Sequence, residues 1–294
     1  MSLPSVQAFF DPQTATFSYV VHGKGNRHCA IIDPVLDYDP ASAQTSTQSA
    51  QALLDYIDEH QLKLQWILET HAHADHLSAA SWLQEQAGGQ IAIGAPITQV
   101  QRTFKDIYHL GPQQSTDGTP FDVLWHDGDE FQIGDLHVTV LHVPGHTPAD
   151  MAYHVQGLGI FVGDTLFLPD VGTARCDFPG GCAAQLYESM QRILSYPEDT
   201  VLFMCHDYPP VEREPQYFCT VADQKNHNIH IKNQTSQADF IQLRQQRDAT
   251  LGLPRLMLPA LQVNIQAGRL PQAEANAVQY LKIPLNYFNV PIKP

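Results

Sequence analysis

Short apolar runs, rich in β-branched and aromatic residues, recur along the chain and are separated by turn residues. Runs of this length and composition predict β-strands. The predicted strands span residues 16–23, 28–34, 64–70, 90–95, 136–143, 158–164 and 200–207. Between several of these strands, apolar residues recur with the spacing of an amphipathic helix, which predicts helices at 49–61, 182–196 and about 236–248.

The predicted strands and helices are interleaved, which favours an α/β fold in which helices pack against β-sheets. Within residues 121–143, however, Asp-Gly and Gly-Asp pairs between apolar runs indicate antiparallel hairpins. Residues 39–48 and 109–120 are small and polar, so we expect exposed loops there. The last part of the chain is irregular and rich in proline. We therefore predict one domain over residues 1–294, with residues 209–294 as a C-terminal extension packed on it.

Composition limits the classes of partner. The chain has 294 residues, of which 43% are hydrophobic, enough for a large buried core in one or two domains. It is acidic, with 31 Asp and Glu residues against 16 Lys and Arg residues and a net charge of -15. This charge argues against nucleic acid or an anionic membrane as a partner, because the average field would repel both. An anionic substrate would therefore need a local patch of positive charge.

Cysteine use and the N-terminal sequence bear on the compartment. Five cysteines, an odd number with no Cys-x-x-Cys pair, predict neither a disulfide framework nor a thiolate zinc site. Residues 1–21 lack both the pattern of a secretory signal and that of an arginine-rich transit peptide. No apolar run approaches the roughly 20 residues that a membrane helix needs. We therefore predict a soluble, cytoplasmic protein with reduced thiols.

The stretch ETHAHADHLSAA at residues 69–80 places three histidines and one aspartate within six positions. Residues of the same chemical type directly follow three later strands. The complete set is His71, His73, Asp75 and His76 in the first stretch, followed by His146, Asp164 and His206. Because loops at strand ends can converge at one edge of a layered fold, these residues predict a metal centre. The alternative, a buried polar network without a metal, is disfavoured by the combined pattern.

A helix is expected directly after this stretch, over residues 77–88, and its end is marked by Gly88 and Gly89. Asp75 and His76 would then lie at the start of the helix, where backbone N–H groups stabilise a carboxylate. The predicted metal centre would thus include the first turn of a helix.

The H-x-H-x-D-H motif, followed by separate His, Asp and His residues, resembles the metallo-β-lactamase superfamily over about residues 8–208. The resemblance implies an αββα sandwich, in which two facing β-sheets have helices outside and metals at one edge. It also permits two metal sites. One would consist of His71, His73 and His146 and the other of Asp75, His76 and His206, with Asp164 between them.

Two further segments reduce the number of reactions to be considered within this superfamily. Residues 163–194, with a GD…G-x-x-R-x-D-F…L-Y-x-S pattern, and residues 205–210, CHDYPP, resemble the persulfide dioxygenases, and residues 244–271 resemble their bacterial branch. The resemblance implies one Fe(II) per chain in a two-histidine, one-carboxylate triad, which leaves positions for dioxygen and a thiolate. The triad would be His71, His146 and Asp164. The residues orienting it without binding metal would be His73, Asp75, His76 and His206.

By the same resemblance, the reaction is the oxidation of glutathione persulfide with O2 to sulfite and glutathione. The main alternative is a dinuclear zinc thioesterase of the glyoxalase II type, because all the residues for two metal sites are present. A third alternative is a catalytically inactive module that binds metal or thiol as a sensor. The complete ligand set argues against this third alternative.

Glutathione has two carboxylates and one ammonium group, so its site in this acidic protein needs local positive charge. We predict that Arg175, Arg255 and Lys225 supply this charge and that Tyr208 donates a hydrogen bond near the substrate. For Arg175 the alternative is a structural ion pair with a neighbouring aspartate, and for Arg255 and Lys225 it is ordinary surface charge. Tyr208 could equally be a packing residue. The expected partners are the substrate, dioxygen and a second copy of the chain in a homodimer.

Overall fold

The structure is a computed structural model that describes residues 5–210, 213–232 and 235–288. Its strands, in chain order, are β1 (Ser5–Asp11), β2 (Thr16–His22), β3 (His28–Ile32), β4 (Val35–Asp39), β5 (Gln44–Ser46), β6 (Lys63–Leu68), β7 (Leu77–Ser78), β8 (Gln90–Gly94), β9 (Val123–Trp125), β10 (Glu130–Ile133), β11 (Leu136–His142), β12 (Met151–Val155), β13 (Gly159–Phe161), β14 (Val201–Phe203) and β15 (Phe218–Thr220). Its helices are α1 (Gln48–Glu59), α2 (Ala80–Ala87), α3 (Ile97–Ile107), α4 (Ala183–Leu194), α5 (Val221–His227), α6 (Gln237–Asp248) and α7 (Met257–Asn264).

In the described part of the chain, two six-stranded sheets form the centre of the fold. The first has the order β1-β2-β3-β6-β8-β9 and is antiparallel up to β3 and parallel from β3 to β9. The second has the order β10-β11-β12-β13-β14-β15 and is antiparallel except for the pair β13 and β14. A small third sheet joins β5, β4 and β7. The pair β10 and β11 confirms the antiparallel hairpin that the sequence predicts in this region.

The two large sheets face each other across a shared apolar core. Tyr19 and Ile32 of the first sheet pack in one cluster with Phe131, Tyr153 and Phe161 of the second. The rings of Tyr19 and Phe161 meet edge to face with centroids 5.1 Å apart. Because side chains alternate along a strand, the neighbours of these residues point to the opposite face of each sheet.

Helices cover those opposite faces. Val20 and Ile31 of the first sheet belong to a core cluster that includes residues of α1, α2, α3 and α7. Ile160 and Leu202 of the second sheet belong to another cluster, which includes residues of α4, α5 and α6. This order of helix, sheet, sheet and helix is the predicted αββα sandwich, which is confirmed.

The C-terminal extension contributes to the core through α7. Ala260, Leu261 and Val263 of this helix are each 0% exposed and belong to the cluster that covers the first sheet. The sequence pattern does not predict α7, because the helix is short, apolar on most sides and contains Pro259, so no polar face marks it. Helix α3 is also missed, although its buried residues Ile97, Val100 and Phe104 are spaced as in an amphipathic helix.

The helix predicted over residues 77–88 begins later than expected. Leu77 and Ser78 pair with β4 as strand β7, and α2 begins only at Ala80. Asp75 and His76 therefore lie in a loop and not in the first turn of a helix. This part of the prediction is wrong, and helix-end amides do not explain the charge of Asp75.

The remaining sequence-based expectations concern thiols, membrane spans and loops. All five cysteines are free thiols, as expected from their spacing. None of the helices in the described ranges is both long enough and apolar enough to cross a membrane. Residues 109–120 form no helix or strand, as predicted, whereas residues 44–46 of the other predicted loop form the exposed strand β5.

Candidate metal centre

Four loops bring the metal-type residues to one edge of the sandwich. The loop after β6 carries the H-x-H-x-D-H motif, and the loops after β11, β13 and β14 carry the other three residues. Because β6 belongs to the first sheet and the other three strands to the second, the residues meet where the two sheets end. The side chains brought together are His71, His73, Asp75, His76, His146, Asp164 and His206.

The first cluster consists of His71, His146 and Asp164, whose ligand atoms all lie within 4.8 Å of one another. Asp164 Oδ2 is 3.8 Å from His71 Nε2 and 3.6 Å from His146 Nε2. These distances are too long for hydrogen bonds. His71 Nε2 is buried and has no hydrogen-bond partner among the described residues. Two imidazole nitrogens and a carboxylate oxygen that converge in this way fit a metal ion.

Hydrogen bonds on the far side of both imidazoles direct Nε2 toward the first cluster. His146 Nδ1 donates to the carbonyl oxygen of Arg175 over 2.8 Å, which leaves Nε2 unprotonated when the ring is neutral. His71 Nδ1 lies 3.1 Å from the hydroxyl of Thr70. Burial, followed by the neighbouring His73, lowers the pKa of His71 well below its ordinary value. His71 is therefore neutral at physiological pH, and this is the form of imidazole that binds metals.

The second cluster, formed by Asp75, His76 and His206 together with the neighbouring His73, lies directly beside the first. Asp75 Oδ2 is 3.2 Å from His206 Nε2 and 3.5 Å from His76 Nδ1. His206 Nε2 is also 3.3 Å from Asp164 Oδ1, so Asp164 connects the two clusters. Burial raises the pKa of Asp75, but His206 and His76 outweigh burial and lower the pKa below its ordinary value. Asp75 is therefore an anion between two imidazoles, an arrangement that also suits a metal ion.

His73 is held by buried carboxylates. Its Nε2 lies 2.9 Å from Asp33 Oδ1 and 3.5 Å from Glu69 Oε2. Asp33 is fixed in turn by the N–H and hydroxyl of Thr70, at 2.7 and 2.9 Å. Burial lowers the pKa of His73, but Asp33 outweighs burial and raises the pKa well above its ordinary value. Among the described residues, His73 groups with the second cluster and does not group with the first.

A cavity of about 380 Å³ is lined by residues of both clusters. Asp75 contributes from the second cluster, and His146 and Asp164 contribute from the first. Phe167 and Leu251 form apolar parts of the wall. The wall also contains four arginines, namely Arg175, Arg244, Arg247 and Arg255. In a protein of strongly negative charge, this local concentration of positive charge suits an anionic ligand.

Comparison with known families assigns the fold. A family model for the metallo-beta-lactamase superfamily matches residues 11–206, which carry all seven metal-type residues. The chain belongs to this superfamily. Its similarity to a probable metallo-hydrolase of Burkholderia pseudomallei is 50% identity over 291 residues, or 96% of this chain and 99% of the relative. Its similarity to Glyoxylase B2 of Dictyostelium discoideum is 48% identity, over 96% of this chain and 97% of the relative.

More distant relatives carry names from two different reactions. The crystal structure of ETHE1 from Myxococcus xanthus has a TM-score of 0.72 and 27% identity, and the match covers 90% of this chain and 100% of that chain. The human mitochondrial persulfide dioxygenase ETHE1 is 28% identical over 69% of this chain and 68% of its own length. A hydroxyacylglutathione hydrolase of Vibrio cholerae is 27% identical over 85% of this chain and 81% of its own length. Superfamily membership therefore establishes a metal centre but does not identify the reaction.

Arg175 of this superfamily member is already paired. Its Nε and Nη2 donate to Asp177 over 2.6 and 2.7 Å, and its Nη1 donates to the carbonyl of Gly252 over 2.6 Å. The ion pair considered as the structural alternative for Arg175 is thus present. Because Arg175 also supplies the carbonyl that orients His146, its segment supports the first cluster directly.

The other cavity arginines differ in how far their charge is compensated. Arg244 is buried and pairs with Asp248. Arg247 and Arg255 are exposed, and neither takes part in an arginine ion pair within residues 5–210, 213–232 and 235–288. These two guanidinium groups are therefore available to a ligand.

Arg244 and Arg247 are not among the predicted site residues, although both lie on a predicted helix. Their three-residue spacing puts them on one face of α6, a signal that was present in the sequence. Lys225 lies elsewhere, as an exposed residue of α5 that does not line this cavity. Tyr208 does line it, with its ring stacked on that of His206 at a centroid distance of 5.9 Å.

Proposed function

We propose that this protein is a non-haem Fe(II) dioxygenase that oxidises glutathione persulfide with O2 to sulfite and glutathione. The observation that carries the proposal is the first cluster, in which two imidazoles and one carboxylate lie within 4.8 Å of one another and which does not include His73. A triad of this kind leaves positions open for two reactants on one metal. A hydrolase site with three histidines on the first metal would instead need His73 in this group. The similarity to proteins named persulfide dioxygenase supports the same conclusion.

The side chains of this protein would hold one Fe(II) through His71, His146 and Asp164. When bound, the metal supplies the redox chemistry that joins dioxygen to the terminal sulfur of the persulfide. One persulfide, one dioxygen and one water are converted into one glutathione, one sulfite and two protons, so oxygen is reduced as the sulfur is oxidised.

The cavity beside the first cluster suits the rest of the substrate. Arg247 and Arg255 can pair with the two carboxylates of glutathione, because their charge is not compensated within the described residues. Phe167 and Leu251 reduce the access of water to the reacting sulfur. Arg175 supports the metal centre and not the substrate, because its carbonyl oxygen orients His146 while its guanidinium is bound to Asp177. Tyr208 lines the same cavity and can donate a hydrogen bond to the substrate.

A dinuclear zinc thioesterase is the second candidate. The second cluster, with an anionic Asp75 between two imidazoles, favours this alternative, because Asp164 reaches both clusters. The names of several relatives, a metallo-hydrolase, a glyoxylase and a hydroxyacylglutathione hydrolase, also favour it. The two candidates differ in the number of metals, in the use of oxygen and in the bond that is broken.

The test is an oxygen-consumption assay with protein purified without oxygen and loaded with Fe(II). We expect one iron per chain, and sulfite formed in equal amount to the oxygen consumed when glutathione persulfide is added. The zinc-loaded protein should consume no oxygen, and S-lactoylglutathione should not be hydrolysed by either form. Two metals per chain together with rapid hydrolysis of S-lactoylglutathione and no sulfite would reject the proposal in favour of the thioesterase.

Replacing Arg247 and Arg255 together by alanine should weaken substrate binding without removing metal. At about 0.7 kcal/mol for each exposed ion pair, losing two should raise KM for glutathione persulfide about tenfold. Steady-state kinetics and metal analysis on the same preparation check this expectation. Arg269→Ala is the control, because Arg269 is an exposed arginine outside this cavity. An unchanged KM in the double variant would assign both arginines to ordinary surface charge.

A further inference from the structure

Asn264, the last residue of α7, reaches the metal-binding loop, which is the segment of residues 69–78 between β6 and α2 and includes the short strand β7, from outside the part of the chain that matches the superfamily. Its side-chain Nδ2 donates to the carbonyl oxygens of His73 and His76, each over 2.8 Å. Its Oδ1 accepts a hydrogen bond from the N–H of Ser78 over 2.7 Å. One amide therefore binds three backbone groups of the loop that carries Asp75. We propose that Asn264 is a positioning residue of the metal centre, which holds this loop in the shape that binds metal.

The geometry of the amide explains this role. Both donor hydrogens of an Asn side chain lie in one plane, so the two carbonyl oxygens that they bind are held at a fixed separation. Asp75 lies between His73 and His76, and the turn that these carbonyls define sets the direction of its side chain. The three backbone groups are also buried, and leaving them without partners would cost free energy. The loop therefore keeps its shape only while the amide is in place.

The support under Asn264 is rigid. The neighbouring Val263 is 0% exposed and lies in the core cluster on the first sheet. Four residues after Asn264, Gly268 has a φ of +79° and approaches the loop so closely that a Cβ would lie 2.6 Å from the carbonyl oxygen of Ser78. The end of α7 and the end of the metal-binding loop are thus packed against each other at two successive points.

A second chain of contacts links the same loop to His73. The hydroxyl of Ser78 donates to Glu69 Oε1, and the other oxygen of Glu69 lies 3.5 Å from His73 Nε2. The N–H of Ser78 is the group that Asn264 accepts from. Displacing Asn264 would therefore disturb both the backbone of the loop and the carboxylate that helps to hold His73.

Gln262 provides a matched control on the same helix. It is also a buried amide with three hydrogen bonds, donating over 2.7 Å to the carbonyls of Leu258 and Lys282 and accepting over 2.8 Å from the N–H of Lys282. None of these partners belongs to the metal-binding loop. A purely structural role for buried amides on α7 predicts the same consequences at both positions.

The experiment compares Asn264→Ala and Gln262→Ala in the full chain. Apparent Zn(II) affinity is measured by competition with a chromophoric chelator, the visible spectrum of the Co(II)-loaded protein reports ligand geometry, and Tm is measured on metal-free protein. We expect Asn264→Ala to lower Zn(II) affinity at least about tenfold and to change the Co(II) spectrum. Gln262→Ala should leave both within about twofold of the original protein, even if the two variants lose similar Tm.

A second pair of variants, Asn264→Asp and Gln262→Glu, tests the proposal if either alanine variant fails to fold. Both changes keep the size of the side chain and its acceptor, and both remove the two donor hydrogens. Asn264→Asp should again lose Zn(II) affinity and Gln262→Glu should keep it. Wild-type affinity at position 264, or an equal loss at both positions, would overturn the proposal. The role of Asn264 concerns metal binding and does not depend on the proposed oxidation. Zn(II) binding therefore tests it separately from oxygen consumption.

Discussion

Replacing Asp164 by alanine is expected to abolish tight metal binding and catalysis together. Asp164 is the only carboxylate of the first cluster, and its Oδ1 also lies 3.3 Å from His206 Nε2 in the second cluster. Its removal takes away the negative charge that balances a divalent ion and leaves only two imidazole ligands. We expect kcat/KM to fall at least about 10³-fold, equivalent to about 4 kcal/mol of transition-state stabilisation.

Metal analysis and oxygen consumption on the same Asp164→Ala preparation test this expectation. Asp170→Ala is a suitable control. Asp170 is exposed, follows Asp164 in the loop after β13, and has its Oδ2 3.1 Å from Arg213 Nε. This control should keep its metal and most of its activity. Full iron occupancy in the Asp164→Ala protein would exclude Asp164 as a metal ligand.

Replacing Asp75 by asparagine is expected to separate the two candidate functions. Under the proposed function Asp75 orients its neighbours without binding iron, so the variant should keep one iron per chain. The pairing of Asp75 with His206 at 3.2 Å and with His76 at 3.5 Å would be weakened. Changes to groups that support metal ligands typically cost 10- to 100-fold, so we expect kcat/KM to fall by about 100-fold.

The thioesterase alternative predicts a different result for Asp75→Asn. A second metal would lose its only anionic ligand apart from Asp164, so the metal content should fall from two to one per chain. Metal stoichiometry is therefore measured together with kcat/KM for glutathione persulfide and for S-lactoylglutathione. A drop in stoichiometry with loss of S-lactoylglutathione hydrolysis would contradict the proposed function. Asp164→Asn, analysed in parallel, shows how a variant at a proposed ligand of the first cluster behaves.

Much of the fold could be predicted from local pattern. Seven strands were located because alternating or continuous apolar residues over a few positions are read directly along the chain, namely β2, β3, β6, β8, β11, β13 and β14, whereas β1, β4 and β12 were not predicted. The amphipathic helices α1 and α4 were located for the same reason. The helix placed at residues 77–88 was drawn too long, because Leu77 and Ser78 form a strand only by pairing with β4, a partner far away in the sequence.

In the candidate site, too, some residues could be identified from the sequence and others could not. The seven metal-type residues could be proposed as one site because they lie at strand ends and have the donor atoms of metal ligands, whereas the choice of His71, His146 and Asp164 among them was implied by resemblance to the persulfide dioxygenases. Lys225 and Arg255 were indistinguishable in the sequence, since both are basic residues in an irregular region. The structure places only Arg255 in the cavity wall. Arg247 was overlooked because its role depends on the direction in which α6 faces.

The residue pattern by itself determined an α/β fold, the kinds of donor atom at the metal centre and the strand ends that carry them, whereas the αββα arrangement was implied by resemblance to the metallo-β-lactamase superfamily. The α/β pattern and the donor atoms depend on residue type and on short-range spacing, which folding does not change. Only the tertiary structure decided that Asp33 holds His73, that the carbonyl oxygen of Gly252 binds Arg175 and that Asn264 binds the metal-binding loop. Each of these depends on which distant residue supplies the hydrogen bond or the opposite charge, and such partners are chosen when α7 and the two sheets pack together.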